Sequence, residues 1–172
     1  MIVTGLAHRG VGFRRPAMNV LFFCEDCSLA LMAESILATL GDRRFRAHSA
    51  GYAPACAPNG AVIEFLASHH MRVEGLHPKG LERLRRGDAP PMDFIITLAD
   101  VAPELFAGWP GAPFVAHWNV LDGCDDLRDE ATLRDVFWTL MRRIKIFVSL
   151  PQGTLNRRVL ERRAVTLQAS YL

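Results

Sequence analysis

No apolar run in this chain approaches the roughly 18 residues that cross a bilayer, so no membrane span is expected. Neither sign of charge dominates. Twenty Lys and Arg stand against 18 Asp and Glu, and a net charge of +2 with a pI near 8.5 is too mild to argue for nucleic acid. The basic residues are also dispersed: Arg83, Arg85 and Arg86; Arg142, Arg143 and Lys145; Arg157, Arg158, Arg162 and Arg163. They read as solvated helix faces rather than a binding stripe. Repeats, low-complexity tracts and linkers are missing too, and 172 residues, half of them apolar, suffice for one domain with a full core. There are four cysteines and no secretory signal, which points to a reducing cytoplasm where thiols are seldom disulfide-bonded. No acid precedes Glu25, while Arg9, Arg14 and Arg15 do. This faintly imitates a transit peptide but has no apolar stretch and is broken by Gly5, Gly10, Gly12 and Pro16. Residues 1–17 are therefore expected to form a surface arm, with Met18 as an alternative start.

What is present is an alternation of two periods. Asn19 to Phe23 is an apolar strand running into Cys24-Glu25-Asp26-Cys27. Leu29, Met32, Ala33, Ile36, Leu37 and Leu40 then recur at helical spacing, which predicts a helix over 28–40 stopped by Gly41-Asp42. Phe45 to Ser49 is a second strand leading into Gly51, and Asn59 stands where the cap of a helix ending near His69 and His70 belongs. A short helix is expected over 81–86. Asp93 to Leu98 is apolar enough for a parallel strand covered on both faces, and Phe114 to Trp118 is a fourth strand. The stripe Leu133, Val136, Phe137, Leu140, Met141, Ile144, Phe147 predicts a long helix over 127–148, broken by Pro151 and followed by a basic helix over 154–168. Together these imply an α/β fold: a doubly wound, parallel four-stranded sheet with helices on both faces, in a single domain over 18–172. Ligands bind such sheets at the carboxyl ends of the strands, here the loops at 24–28, 50–58, 99–104 and 119–126.

Cys24 therefore stands where helix-terminal N–H groups favour a thiolate and an anion. Yet the stretch from Cys24 to Leu31 contains Glu25 and Asp26 and neither glycine nor arginine. The position suits an oxyanion, but the cation to hold one is missing.

The strand-Cys start, Met32-Ala33-Glu34, Ser49-Ala50-Gly51, the Asn59 helix start, Asp93-Phe94, Ala116-His117-Trp118 and Ile146-Phe147-Val148 together resemble the low-molecular-weight protein tyrosine phosphatases. Within that superfamily they are most similar to the thiol-dependent arsenate reductases, over residues 18–165. The resemblance implies that fold, a protein-tyrosine-phosphatase or arsenate reductase activity, Cys24 as nucleophile and Asp122 as general acid. It also implies a loop of the form C-x-x-x-x-x-R-S, whose arginine grips the dianion bidentately. Here the loop is one residue short. Counted back from Met32, Leu29 stands at the arginine position and Ala30 at the serine position. The first relay cysteine of the reductases falls on Ala99, and no cysteine occurs from Asp100 to Trp109. The expectation is a family member that has lost ordinary phosphatase and reductase chemistry and acts as a binding or regulatory descendant. Its ligand would be a small anion or a protein partner. Rescue would need another arginine, such as Arg14, Arg15 or Arg43, to reach the loop.

Other chemistry remains open for the same residues. Cys24 and Cys27 have C-x-x-C spacing and could form a redox pair, although Glu25 and Asp26 between them would raise the thiol pKa. Cys24, Cys27, Cys56 and Cys124, with His117, could ligate zinc or an iron–sulfur centre, but only half of the spacing fits, and no cofactor is expected. Ser28 completes the loop. Against all of these stands simple burial: Leu29 falls on the apolar stripe, and Cys24 can serve as a small core residue. Glu34 is expected to anchor loop to helix by hydrogen bonds, Lys79 to be solvated, and His48, His69, His70 and His117 to fill core or surface roles. The ridge of the last helix could pack on a second subunit in a homodimer.

Overall fold

The computed structural model describes residues 16–52, 59–77, 79–86, 89–120, 127–151, 153 and 155. Its centre is strand β1, Met18–Phe23, whose last four residues are fully buried. Side chains alternate across a strand, so Val20 and Phe22 enter one core and Leu21 and Phe23 the other. β1 pairs with strand β2 (Phe45–Gly51) on one side and with β4 (Phe94–Thr97) on the other. β5 (Phe114–His117) extends the sheet beyond β4, and the two-residue β3 (Lys79–Gly80) extends it beyond β2. All pairs are parallel, in the order β3-β2-β1-β4-β5. The sheet thus has five strands where the sequence predicts four. Lys79–Gly80 is too short to show a period, and only its pairing with Ala50 and Gly51 makes it a strand.

Helices cover both faces, as expected. On the first face α1 (Cys27–Leu40) and α4 (Glu130–Ser149) lie side by side, with α2 (Gly60–Ser68) beside them. Leu29, Met32, Ala33 and Ile36 of α1 meet Phe137, Leu140 and Ile144 of α4 over Val20 and Phe22. Each fully buried aromatic or leucine here contributes about 1.5–3 kcal/mol relative to exposure. The second face is thinner: α3 (Leu81–Arg85) supplies Leu81 and Leu84, and Met92, Val101, Phe106 and Trp109 complete it.

The helix ends follow their caps. Asn59 caps α2 by accepting from the Ala61 N–H at 3.0 Å, as its position predicts. α4 starts at Glu130 rather than 127, because the Asp129 carboxylate accepts from the Thr132 N–H at 2.8 Å. At its other end the Arg44 guanidinium donates to the carbonyls of Val148 (3.0 Å) and Leu150 (2.8 Å), satisfying acceptors the helix leaves open. The expected arm at 1–17, apart from residues 16 and 17, and the expected helix at 154–168, apart from residue 155, lie outside the described residues. Among the described residues no helix is long and apolar enough to cross a membrane.

Candidate functional site at the head of the first helix

β1 delivers Cys24 to the carboxyl end of the sheet. The Cys24 N–H donates to the Ala50 carbonyl at 3.3 Å, and the Phe23 carbonyl accepts from Leu98 at 3.0 Å, so the strands on both sides fix the thiol's position. The thiol is only 1 % exposed. Burial pushes its pKa up to about 11, with the charges of Asp26 and Glu25 adding to the rise; backbone N–H groups of the loop oppose it but do not prevail. At pH 7 a thiol of that pKa is ionised in about one molecule in 10⁴.

Helix α1 begins at Cys27, one residue earlier than its apolar stripe suggests, because Asp26 is its N-cap. The Asp26 carboxylate accepts from the Ser28 N–H at 2.8 Å. An internal carboxylate therefore already occupies a helix-terminal donor of the kind an oxyanion would use. Asp two residues before Ser at the mouth of an apolar stripe is a helix-start signal, and this role of Asp26 was legible though not anticipated. Glu25 and Asp26 are both exposed. Ser28 serves the scaffold: its Oγ accepts from the Asn59 N–H at 3.1 Å, tying the segment after β2 to the first turn of α1. Gly51 lies under this loop, where an added Cβ would stand 3.4 Å from the Cys24 carbonyl oxygen and 3.7 Å from the Cys27 Cβ.

Leu29 is fully buried between sheet and helices. Arg43 lies in the 3₁₀ turn Asp42–Arg44 that precedes β2, whereas Cys24 lies at the carboxyl end of β1. Because the strands run parallel, the whole length of β2, about 20 Å, separates it from the thiol. Arg14 and Arg15 lie outside the described residues.

Cys24 is a free thiol, and Cys27 is disulfide-bonded. The two sulfurs of the C-x-x-C pair expected from spacing are therefore not joined to each other. Cys56, Cys124 and Asp122 all lie outside the described residues. Among the described residues no three His, Cys, Asp or Glu converge on a point that could hold a metal ion. A disulfide sulfur is in any case no thiolate ligand.

Two turns further along α1, Glu34 is buried at 8 % exposure. It accepts a short hydrogen bond from the Ser49 hydroxyl, and the Lys79 ammonium lies 3.5 Å away. Lys79 is therefore not the solvated residue that its sequence surroundings suggest; the two-residue strand carries it under the helix. Next to it, burial, with Lys79 and Arg46 nearby, pulls His48 down to about 4. Across the sheet, Thr97 Oγ1 and His117 Nδ1 are 2.7 Å apart, and Tyr52 stands half-exposed beside the loop with its ring edge-on to Phe23.

The model of the family described as low molecular weight phosphotyrosine protein phosphatase matches residues 19–108, which run from the second residue of β1 past the end of β4. No curated protein matches the chain. Among solved structures, a thioredoxin-dependent arsenate reductase of Corynebacterium glutamicum matches with TM-score 0.55 and 22% identity, covering 78% of this chain and 63% of that one. An arsenate reductase in a phosphate-binding state matches with TM-score 0.61 and 20% identity over 77% of this chain and 97% of its own. The low molecular weight protein tyrosine phosphatase of Streptococcus pyogenes matches with TM-score 0.59 and 13% identity over 81% and 98%. At these identities the structural matches establish the fold.

Proposed function

The chain belongs to the low molecular weight phosphotyrosine protein phosphatase family, and from that premise we propose that its first loop no longer carries out phosphoryl or arsenyl transfer and serves a binding or regulatory role. The observation that carries this reading is the Asp26 carboxylate seated on the Ser28 N–H, at the place where the family chemistry needs an anion from outside. Three further facts support it. The loop has no arginine, Leu29 at the corresponding position is core, and the Cys24 thiol is buried and held protonated. Removing one charge-assisted donor from a transition-state oxyanion costs about 3–4 kcal/mol, or a hundred- to thousandfold in rate. A thiol ionised in about 10⁻⁴ of molecules instead of a few per cent costs a similar factor again. The ligand class consistent with an acid-rimmed mouth is a protein partner more than a dianion. The test is turnover of para-nitrophenyl phosphate and of arsenate with a thiol reductant. The expected result is no rate above that of Cys24→Ser; turnover that Cys24→Ser abolishes would overturn the proposal.

The family match itself favours the alternative, an active thiol enzyme using Cys24 with Asp122. The same assay separates the two, because that reading requires Asp122→Asn to lower the rate as Cys24→Ser does.

A further inference from the structure

Helix α4 buries the stripe from Leu133 to Phe147, and its opposite face is not an ordinary solvated one. Among the described residues three large hydrophobic side chains stand about half or more in water, and two of them, Trp138 (49 %) and Ile146 (60 %), are on this helix. At 3.6 residues per turn Lys145, Trp138, Arg142 and Ile146 fall in that order within about 100° of arc. Trp138 and Ile146 stand about 12 Å apart along the axis.

Trp138 is seated rather than loose. Its ring meets the His69 ring at 6.2 Å and the Phe137 ring at 5.2 Å, both edge-on. His69 is itself stacked on Phe65 at 4.2 Å, and its Nδ1 lies 2.9 Å from the Phe65 carbonyl oxygen. Part of the indole is thus held by α2 and α4 while the rest faces water, as in an aromatic anchor that loses little freedom on binding. The cations beside it are arranged unlike those of the rest of the fold. Arg134 is paired with Glu130 at 2.6 Å, and Lys79 with Glu34 at 3.5 Å. Arg142 and Lys145 have no carboxylate partner among the described residues. They are also three residues apart on one face, a like-charge spacing that weakens a helix.

We propose that this face of α4 docks an acidic segment of a protein partner, with apolar side chains of that segment on Trp138 and Ile146 and its carboxylates on Arg142 and Lys145. A second copy offering the same face could bring these cations only Asp135, since Glu130 is taken by Arg134. A membrane surface is disfavoured because two isolated apolar residues beside Asp135 fall far short of the apolar face that an interfacial helix buries. The proposal is independent of the cysteine loop, which lies at the head of α1.

A library of random peptides displayed on phage, selected against the full chain, tests this. The recovered peptides should carry several Asp or Glu together with large apolar residues, and synthetic copies should bind the parent and Cys24→Ser alike. Trp138→Ala and Arg142→Glu/Lys145→Glu should each weaken that binding by about tenfold or more. The control Arg83→Glu/Arg86→Glu, the same change of charge on exposed arginines at α3, should leave it as in the parent. Near-ultraviolet circular dichroism should be the same in parent and variants, because all the charges changed are at the surface. Recovery of no acidic peptide, or binding that Arg142→Glu/Lys145→Glu leaves intact, would overturn the proposal. So would parent binding to phosphatidylserine vesicles, or parent self-association, that this double variant abolishes, since either would assign the face to a lipid or to a second copy.

Discussion

Asp26 and Glu34 are carboxylates of one helix, two turns apart, and the fold treats them oppositely. Asp26 is exposed, and its carboxylate accepts from the Ser28 N–H. Glu34 is buried and has both a hydroxyl and an ammonium partner. The difference follows from the cost of desolvation: an acid in water at a helix amino terminus needs no cation, and one under a helix does. Lys79 thus serves an internal acid beneath α1, while the thiol at the head of the helix faces acids. A charge count of the region would miss this, because what matters is which side of the helix each charge is on.

The comparison is broken most forcefully at Lys79. Lys79→Met should leave Glu34 buried without its cation and cost about 2–3 kcal/mol, measured by urea denaturation. Glu34→Gln in the same chain should recover much of the loss; additive losses would show that the pair is not coupled. The next effect is at alkaline pH. Cys24 keeps its proton to about pH 11 in the folded chain, against an ordinary value near 9. The unfolded chain therefore gives up a proton first, and stability that is full below pH 9 should fall as pH rises towards 11. Cys24→Ala should flatten that limb. The acid limb is comparable to the alkaline one. His48 is held near 4 when folded against 6.5 when unfolded, so its contribution is present above pH 6.5 and lost as pH falls through 4. His48→Gln should flatten that limb. At the exposed acid the effect is smaller: Asp26→Ala should cost about 1 kcal/mol as a lost cap while lowering the Cys24 pKa, read by spectroscopic titration.

Much of the framework was legible because its signals are local and periodic. The apolar run of β1, the stripe from Leu29 to Leu37 and the Asn59 cap each announce one element, and Leu29 was readable as core from its place on the stripe. β3 was not legible, since Lys79–Gly80 acquires its identity only by lying beside Ala50 and Gly51. The Glu34–Ser49–Lys79 cluster was hidden for the same reason. Its members are 15 and 30 residues apart along the chain from Ser49, on three elements, and only the crossover brings them together. At the cysteine loop, residue types and spacing disclosed the missing arginine but not the Asp26 cap, which depends on where the helix starts. They likewise suggested a Cys24–Cys27 pair, whereas Cys27 is disulfide-bonded and Cys24 is free.

The most direct measurement is the ionisation of Cys24 itself, followed by the ultraviolet absorbance of its thiolate as the difference between the parent protein and Cys24→Ser across pH. A midpoint near 11 is the result this account requires. A midpoint below neutrality would mean that the head of α1 still stabilises an anion, and the proposed loss of thiol chemistry would fail with it.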